Sequence, residues 1–265
     1  MRRLILAVLV TSALAPAFAQ TTPSDKALLA KTRALYDAPF TRNLVSFDCA
    51  VQFDWRKHFS EFLVTIPAAA EPSVQRLQTI QHRVFVDRSG AVVSTTPKAP
   101  DLTGVEHAAD LEQGFRAMIP AGLSAWLPSS TNVILPVGPT KFNFQKIDPG
   151  YRLQMNGSGL EVTLLLTEDL RVTSEASKLP QPMRATTEFS SGPDGFLLSS
   201  VKTAPTTDPN TNTEAGFAYT YQTVQGFQLP SLVTITPSTT EPWHYTLTDC
   251  KVMTGIMIEV GPPKP

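Results

Sequence analysis

The clearest pattern in the chain is an alternation of apolar and polar residues between Val45 and Trp55. Side chains of a strand point alternately to the two faces of a sheet, so this spacing predicts a long strand with one buried face. Similar short runs continue from Thr140 to Cys250 and are separated by turn residues such as those at Pro193-Asp194-Gly195. Together they predict about nine or ten short strands, nearly all of them joined as hairpins.

Helical periodicity is confined to the first half of the chain. One helical face covers Ser24–Tyr36, and a longer one covers Val105–Leu127 with Pro120 inside it. A proline in a helix interior removes a hydrogen bond, so we expect this second helix to be kinked or split. The whole pattern predicts an α+β fold: a curled antiparallel meander sheet, forming a half-open barrel, with helices from the N-terminal half packed on its concave face.

The first nineteen residues have the composition of a secretory signal peptide. A positive Arg2-Arg3 pair precedes the apolar run Leu4–Val10, and Ala17-Phe18-Ala19 fits a cleavage site. We therefore predict a periplasmic or secreted protein that is cleaved after Ala19, with one domain over residues 20–255 and a proline-rich tail over residues 256–265. No later stretch of the sequence is long and apolar enough to predict a transmembrane helix.

The two cysteines, Cys49 and Cys250, lie near opposite ends of this predicted domain. An even number of cysteines in an exported protein favours a disulfide, with Cα atoms about 4.4–6.8 Å apart. Two separate buried thiols are the alternative. Cys49 shares the apolar face of its strand, whereas alternation places Cys250 on a polar face. A disulfide therefore requires a bulge or a strand end near Asp249.

Charge and residue types give little sign of catalysis or of nucleic-acid binding. The formal net charge is −1, and charged residues make up 17% of the chain, which does not favour a nucleic-acid partner. The four histidines lack metal-ligand spacing, so we predict neither a metal site nor a cofactor. Gly157-Ser158-Gly159 lacks the frame of a nucleophile elbow. We assign no catalytic residue and predict a non-catalytic protein.

The order of these elements resembles a known family. A helix (Ser24–Tyr36) leads into a long strand (Val45–Trp55). Further runs of strand and turn residues follow at Gly159–Leu166, Pro193–Val201 and Val224–Pro230. This order is similar to that of the periplasmic outer-membrane lipoprotein carriers and receptors, the LolA/LolB-like superfamily. The resemblance implies a half-open barrel whose apolar concave face accepts acyl chains. The segment from Arg56 to Leu127 is longer and more helical than in those carriers.

The resemblance and the apolar pattern together predict a site for a hydrophobic ligand, either a lipid or a lipoprotein acyl chain. We expect an apolar pocket between the second helix and one strand. Its lining residues are Phe115, Ile119, Trp126, Leu160, Val162, Leu164 and Leu166. The main alternative is a structural or interaction module of the cell envelope with the same fold and a filled core. A secreted hydrolase is a third and weaker alternative.

Overall fold

The structure is a computed structural model of the 265-residue chain. It describes residues 21–255, with gaps at 91, 99–107, 131–134, 136–140, 158–159, 179–182, 206–214 and 238–240. The predicted signal peptide and the proline-rich tail both lie outside the described residues.

The described part of the chain contains five α-helices, one 3₁₀ turn and twelve strands. The helices are α1 (Pro23–Arg33), α2 (Trp55–His58), α3 (Ser60–Thr65), α4 (Pro67–Leu77) and α5 (Ala108–Ser130), and the 3₁₀ turn is Pro39–Thr41. The strands before α5 are β1 (Leu44–Phe53), β2 (His82–Asp87) and β3 (Val92–Thr95). Those after it are β4 (Lys141–Lys146), β5 (Tyr151–Gly157), β6 (Leu160–Leu166), β7 (Val172–Lys178), β8 (Met183–Gly192), β9 (Gly195–Pro205), β10 (Ala215–Val224), β11 (Phe227–Thr236) and β12 (Trp243–Thr254).

All twelve strands belong to one antiparallel sheet, in the order β3-β2-β1-β12-β11-β10-β9-β8-β7-β6-β5-β4. The chain enters the sheet at β1, the third strand from one edge, and reaches that edge at β3. After α5 it resumes at the opposite edge with β4, and a meander then returns to β12 beside β1. The sheet is not closed into a barrel, because β3 and β4 remain its two edges. This arrangement confirms the predicted α+β fold with one large meander sheet.

Helix α5 packs on the inner face of this sheet. The Tyr219 hydroxyl donates a hydrogen bond to the Gly122 carbonyl at 2.8 Å, and the Tyr245 hydroxyl donates one to the Ile119 carbonyl at 3.1 Å. The sequence predicts a kink or a split at Pro120. In the structure α5 is not split there and continues to Ser130. The packing of Ile119 and its neighbours against the sheet holds the helix together across the missing backbone hydrogen bond.

The first turn of α1 protects one edge of the sheet. The backbone N–H of Phe142 on β4 donates to the Thr21 hydroxyl at 3.1 Å, and that of Phe144 donates to an Asp25 carboxylate oxygen at 3.2 Å. Asp25 also forms a capping box with Thr22 at the start of α1. Unpaired N–H groups on an edge strand invite pairing with other chains, and these two side chains satisfy them.

Cys49 and Cys250 form a disulfide, as predicted, and join β1 to β12. Their Cα atoms are 4.1 Å apart, slightly less than the expected range. The register of the two strands shifts between Asp48 and Ala50, and Asp249 has a φ of 47°. The predicted bulge near Asp249 is therefore confirmed, and it allows Cys250 to reach Cys49, which is fully buried.

Candidate apolar ligand site

The predicted helix residue Phe115 packs against a cluster of aromatic rings on one wall of the half-barrel. Its ring centroid lies 4.6 Å from that of Phe53, 3.8 Å from that of Trp55 and 4.2 Å from that of Trp243. These partners belong to β1, to α2 and to β12. Phe115 is only 1% exposed, so this part of the inner face is filled by side chains.

Trp126 lies one turn before the end of α5. The predicted site residue Ile119 lies between Phe115 and Trp126 along the same helix and is fully buried. The Trp126 ring centroid is 6.0 Å from that of Phe47 on β1 and 6.3 Å from that of Phe40 in the 3₁₀ turn. The segment that carries Phe40 is tied down by Arg42, whose guanidinium pairs with Asp37 at 2.6 Å. The 3₁₀ turn that carries Phe40 therefore packs over the inner face of the sheet beside Trp126.

The predicted strand residues form an apolar row on the inner face of β6. Val162, Leu164 and Leu166 are all buried, and Leu164 has no exposed surface. The register pairs Val162 with Met155 and Leu164 with Leu153, both buried residues on β5. The row therefore continues sideways across the sheet. The side chain of Leu160, the fourth predicted residue of this strand, is outside the described residues.

The two halves of the predicted site belong to one apolar core but lie on different walls. Helix α5 contacts β2, β3, β9 and β11, whereas α1 contacts β4 at the far edge. The strand order places β6 between β9 and β4. The apolar row consequently lies on the inner face between the strands next to α5 and the edge strand next to α1.

Sequence alternation missed one polar residue of this inner face, Glu175 on β7. The register pairs Glu175 with Leu164 on β6 and with Ala185 on β8, so it shares the inner face with the apolar row. Counting in steps of two from Val172 would put Glu175 on the outer face. A register shift between Leu165 and Leu166 reverses that parity. Only the paired structure reveals the shift.

Solvent reaches the inner face at one end of β7 and not at the other. Val172 is buried, whereas Glu175 and Ser177 further along the strand are half-buried. The buried end is closed by Tyr36, whose hydroxyl accepts a hydrogen bond from the Val172 N–H at 2.6 Å. The Tyr36 ring also packs against that of Phe189 at 5.0 Å. Among the residues that the structure describes, the apolar row thus has a closed end near Leu166 and an end near Ser177 that solvent reaches.

Two surface clefts lie on the outer side of the sheet. One, of about 300 Å³, is lined by polar residues that include Lys57, Gln78 and His244, and also by aromatic residues. The other, of about 270 Å³, is lined by residues that include Lys202 and Thr236. Neither cleft is lined by a residue of the predicted apolar site.

Comparisons of the chain with protein-family models, with curated proteins and with solved structures found no match. Among the residues that the structure describes, no three or more histidine, cysteine or acidic side chains are grouped so that they could hold a metal ion. No helix in the same part of the chain is long and apolar enough to cross a membrane. The geometry of the inner face is therefore the basis on which a function can be proposed.

Proposed function

We propose that this protein binds the hydrocarbon chain of a lipid or of a lipoprotein acyl group on the inner face of its half-barrel. The observation that carries the proposal is the apolar row Val162, Leu164 and Leu166, which runs from an end of the sheet that solvent reaches to an end that Tyr36 closes. The resemblance to the LolA/LolB-like carriers and receptors supports the same function. The proposal includes no catalytic residue and no cofactor.

Binding at this site would depend on removing apolar surface from water. Each methylene buried contributes about 0.8 kcal/mol, which is about a fourfold gain in affinity. From Val162 to Leu166 the strand advances by about 13 Å at roughly 3.3 Å per residue. The row is covered by core side chains in the structure, so a bound chain would replace some of their contacts.

Export from the cytoplasm is part of the same proposal. The predicted signal peptide and the Cys49–Cys250 disulfide both fit an oxidising compartment. In such a compartment the protein would hold a hydrocarbon chain away from water between membranes or outside the cell. This role needs only a sheltered apolar face, which a half-open barrel provides.

A matched pair of variants on β6 tests the proposal. Val162 faces inward and is buried, whereas Leu165 faces outward and is 38% exposed. Val162→Thr keeps the shape of the side chain but adds a hydroxyl to the proposed site, and Leu165→Thr adds one outside it. Titration with a neutral pyrene-labelled long-chain alcohol should show tight binding by the wild type and by Leu165→Thr. Val162→Thr should bind about five- to thirtyfold more weakly, because the hydroxyl must lose its water.

One observation favours a second candidate, an envelope interaction module with a filled core. Three side chains of α5 are each at most 1% exposed, namely Phe115, Ile119 and Leu123. The part of the inner face that α5 covers is therefore already filled by side chains of the protein. The titration separates the two functions. If the wild type does not bind the pyrene-labelled alcohol, the acyl-chain proposal is wrong and the interaction module becomes the better account.

A further inference from the structure

The inner face carries a charge next to its apolar row. Glu175 on β7 is the direct cross-strand neighbour of Leu164, which is fully buried, and of Ala185 on β8. The diagonal neighbours on β6 are Val162 and Leu166, both apolar and buried. Glu175 itself is half-buried, at the point along β7 where solvent begins to reach the inner face.

A carboxylate in this position is poorly compensated. Burial raises the pKa of Glu175, and neither a charged group nor a hydrogen-bond donor among the described residues offsets that effect. The carboxylate keeps some contact with solvent, but each contact with water that it loses without gaining a partner is costly for the protein. A cation delivered by a ligand would supply the missing partner, and a charge-assisted hydrogen bond is among the stronger ones in proteins.

We propose that Glu175 binds the protonated amine head of an amphiphilic ligand whose hydrocarbon chain lies on the apolar inner face of β6 and β5. This inference rests on the proposed function and narrows it to amphiphiles with an amine head. The geometry gives the orientation, because Glu175 lies where solvent reaches the face while Leu166 lies at the closed end. A fatty acid would instead place its carboxylate near that of Glu175, and the two like charges would repel each other.

Competition between three ligands of equal chain length tests the proposal. Dodecylamine, dodecanol and dodecanoate, each kept below its solubility limit or micelle concentration, would displace the neutral pyrene-labelled alcohol from the full-length protein at pH 7. We expect dodecylamine to bind about tenfold or more tightly than dodecanol, and dodecanoate to bind most weakly. Glu175→Gln should lose the preference for the amine while it keeps its affinity for dodecanol.

A second carboxylate provides the matched control. Glu188 on β8 faces outward, where it accepts a hydrogen bond from Ser200 at 2.8 Å. Glu188→Gln makes the same change of charge on the other face and should keep the preference for the amine. The preference of the wild type should also disappear on acidification, since Glu175 becomes neutral while an alkylamine, with a pKa near 10, stays charged. This second measurement needs no variant to fold.

The outcomes separate the inference from the function on which it rests. If all three ligands bind but the amine is not preferred, or if Glu175→Gln keeps the preference, the role of Glu175 is wrong and the apolar site stands. If the amine preference persists in acid, the role of Glu175 is also wrong. If none of the ligands displaces the probe because the probe itself does not bind, the proposed function is wrong and the inference falls with it.

Discussion

Two glycines on the same helix should respond in opposite ways to replacement by alanine. A Cβ atom at Gly122 of α5 would lie 2.5 Å from the Tyr245 hydroxyl and 2.9 Å from Val233 Cγ1, whereas a Cβ at Gly114 would meet nothing within 4 Å. The Tyr245 ring has no room to retreat, because it is fully buried and its hydroxyl donates to Ile119. Helix α5 would have to move away from the sheet.

The expected magnitudes follow from this geometry. Alanine in a helix interior is favoured over glycine by about 1 kcal/mol, and both variants gain this amount. Overpacking at Gly122 costs about 1–3 kcal/mol, and displacing the helix weakens the hydrogen bond from Tyr219 to the Gly122 carbonyl, worth about 1 kcal/mol. Gly122→Ala should therefore lower the free energy of unfolding by about 1–3 kcal/mol, whereas Gly114→Ala should raise it by about 1 kcal/mol.

Urea unfolding of the oxidised protein, followed by tryptophan fluorescence, measures both changes. Trp126 and Trp243 belong to the core that α5 helps to form, so the signal reports on the region that is perturbed. Equal shifts of the midpoint for the two variants, at an unchanged slope, would contradict the close approach of α5 to β11 and β12.

Three further outcomes follow from the structure. Replacing Cys49 and Cys250 together with serine should lower the free energy of unfolding by up to about 5 kcal/mol, the chain-entropy value for so long a ring, and an unchanged urea midpoint would contradict it. Asp25→Asn should cost about 1–2 kcal/mol at pH 7, because the carboxylate accepts hydrogen bonds from Thr22 and Phe144. Burial raises the pKa of Asp25, but these hydrogen bonds together lower it by more than burial raises it. The pKa of Asp25 therefore lies below its ordinary value. The deficit should therefore shrink in urea titrations as the pH falls through that lowered pKa, and a deficit independent of pH would count against the edge contact. In a series of linear alcohols, affinity should rise about fourfold per methylene and level off once the chain exceeds the row of about 13 Å; calorimetry that finds no dependence on length would argue against binding along β6.

Much of the fold could be predicted from local pattern. The alternation in β1, the helical faces of α1 and α5, and the hairpin turns each depend on residues close in sequence. Those that fall within the described residues are found in the structure. Even the bulge at Asp249 could be predicted, because Cys49 and Cys250 had opposite parity and a disulfide requires them to share a face. The prediction was possible because Cys250 had to satisfy two independent conditions, the alternation of its strand and the geometry of a disulfide.

The candidate site was harder to predict, because it depends on pairing between strands. The sequence correctly placed Val162, Leu164 and Leu166 on a buried face, but it did not indicate that Phe115 and Trp126 would pack on other strands of the sheet. Glu175 was missed for a related reason. An irregularity of one residue between β6 and β7 changes which side chains face inward, and nothing in the local sequence of β7 signals it.

The proposed function requires that the inner face around Val162, Leu164 and Leu166 hold a hydrocarbon chain. The decisive experiment is native mass spectrometry of the protein, purified without detergent from its own host. We expect an added mass of one amphiphile per chain, which collisional activation releases and which is reduced in Val162→Thr but not in Leu165→Thr. A single species at the mass of the protein alone, unchanged after incubation with dodecylamine or dodecanol, would contradict it.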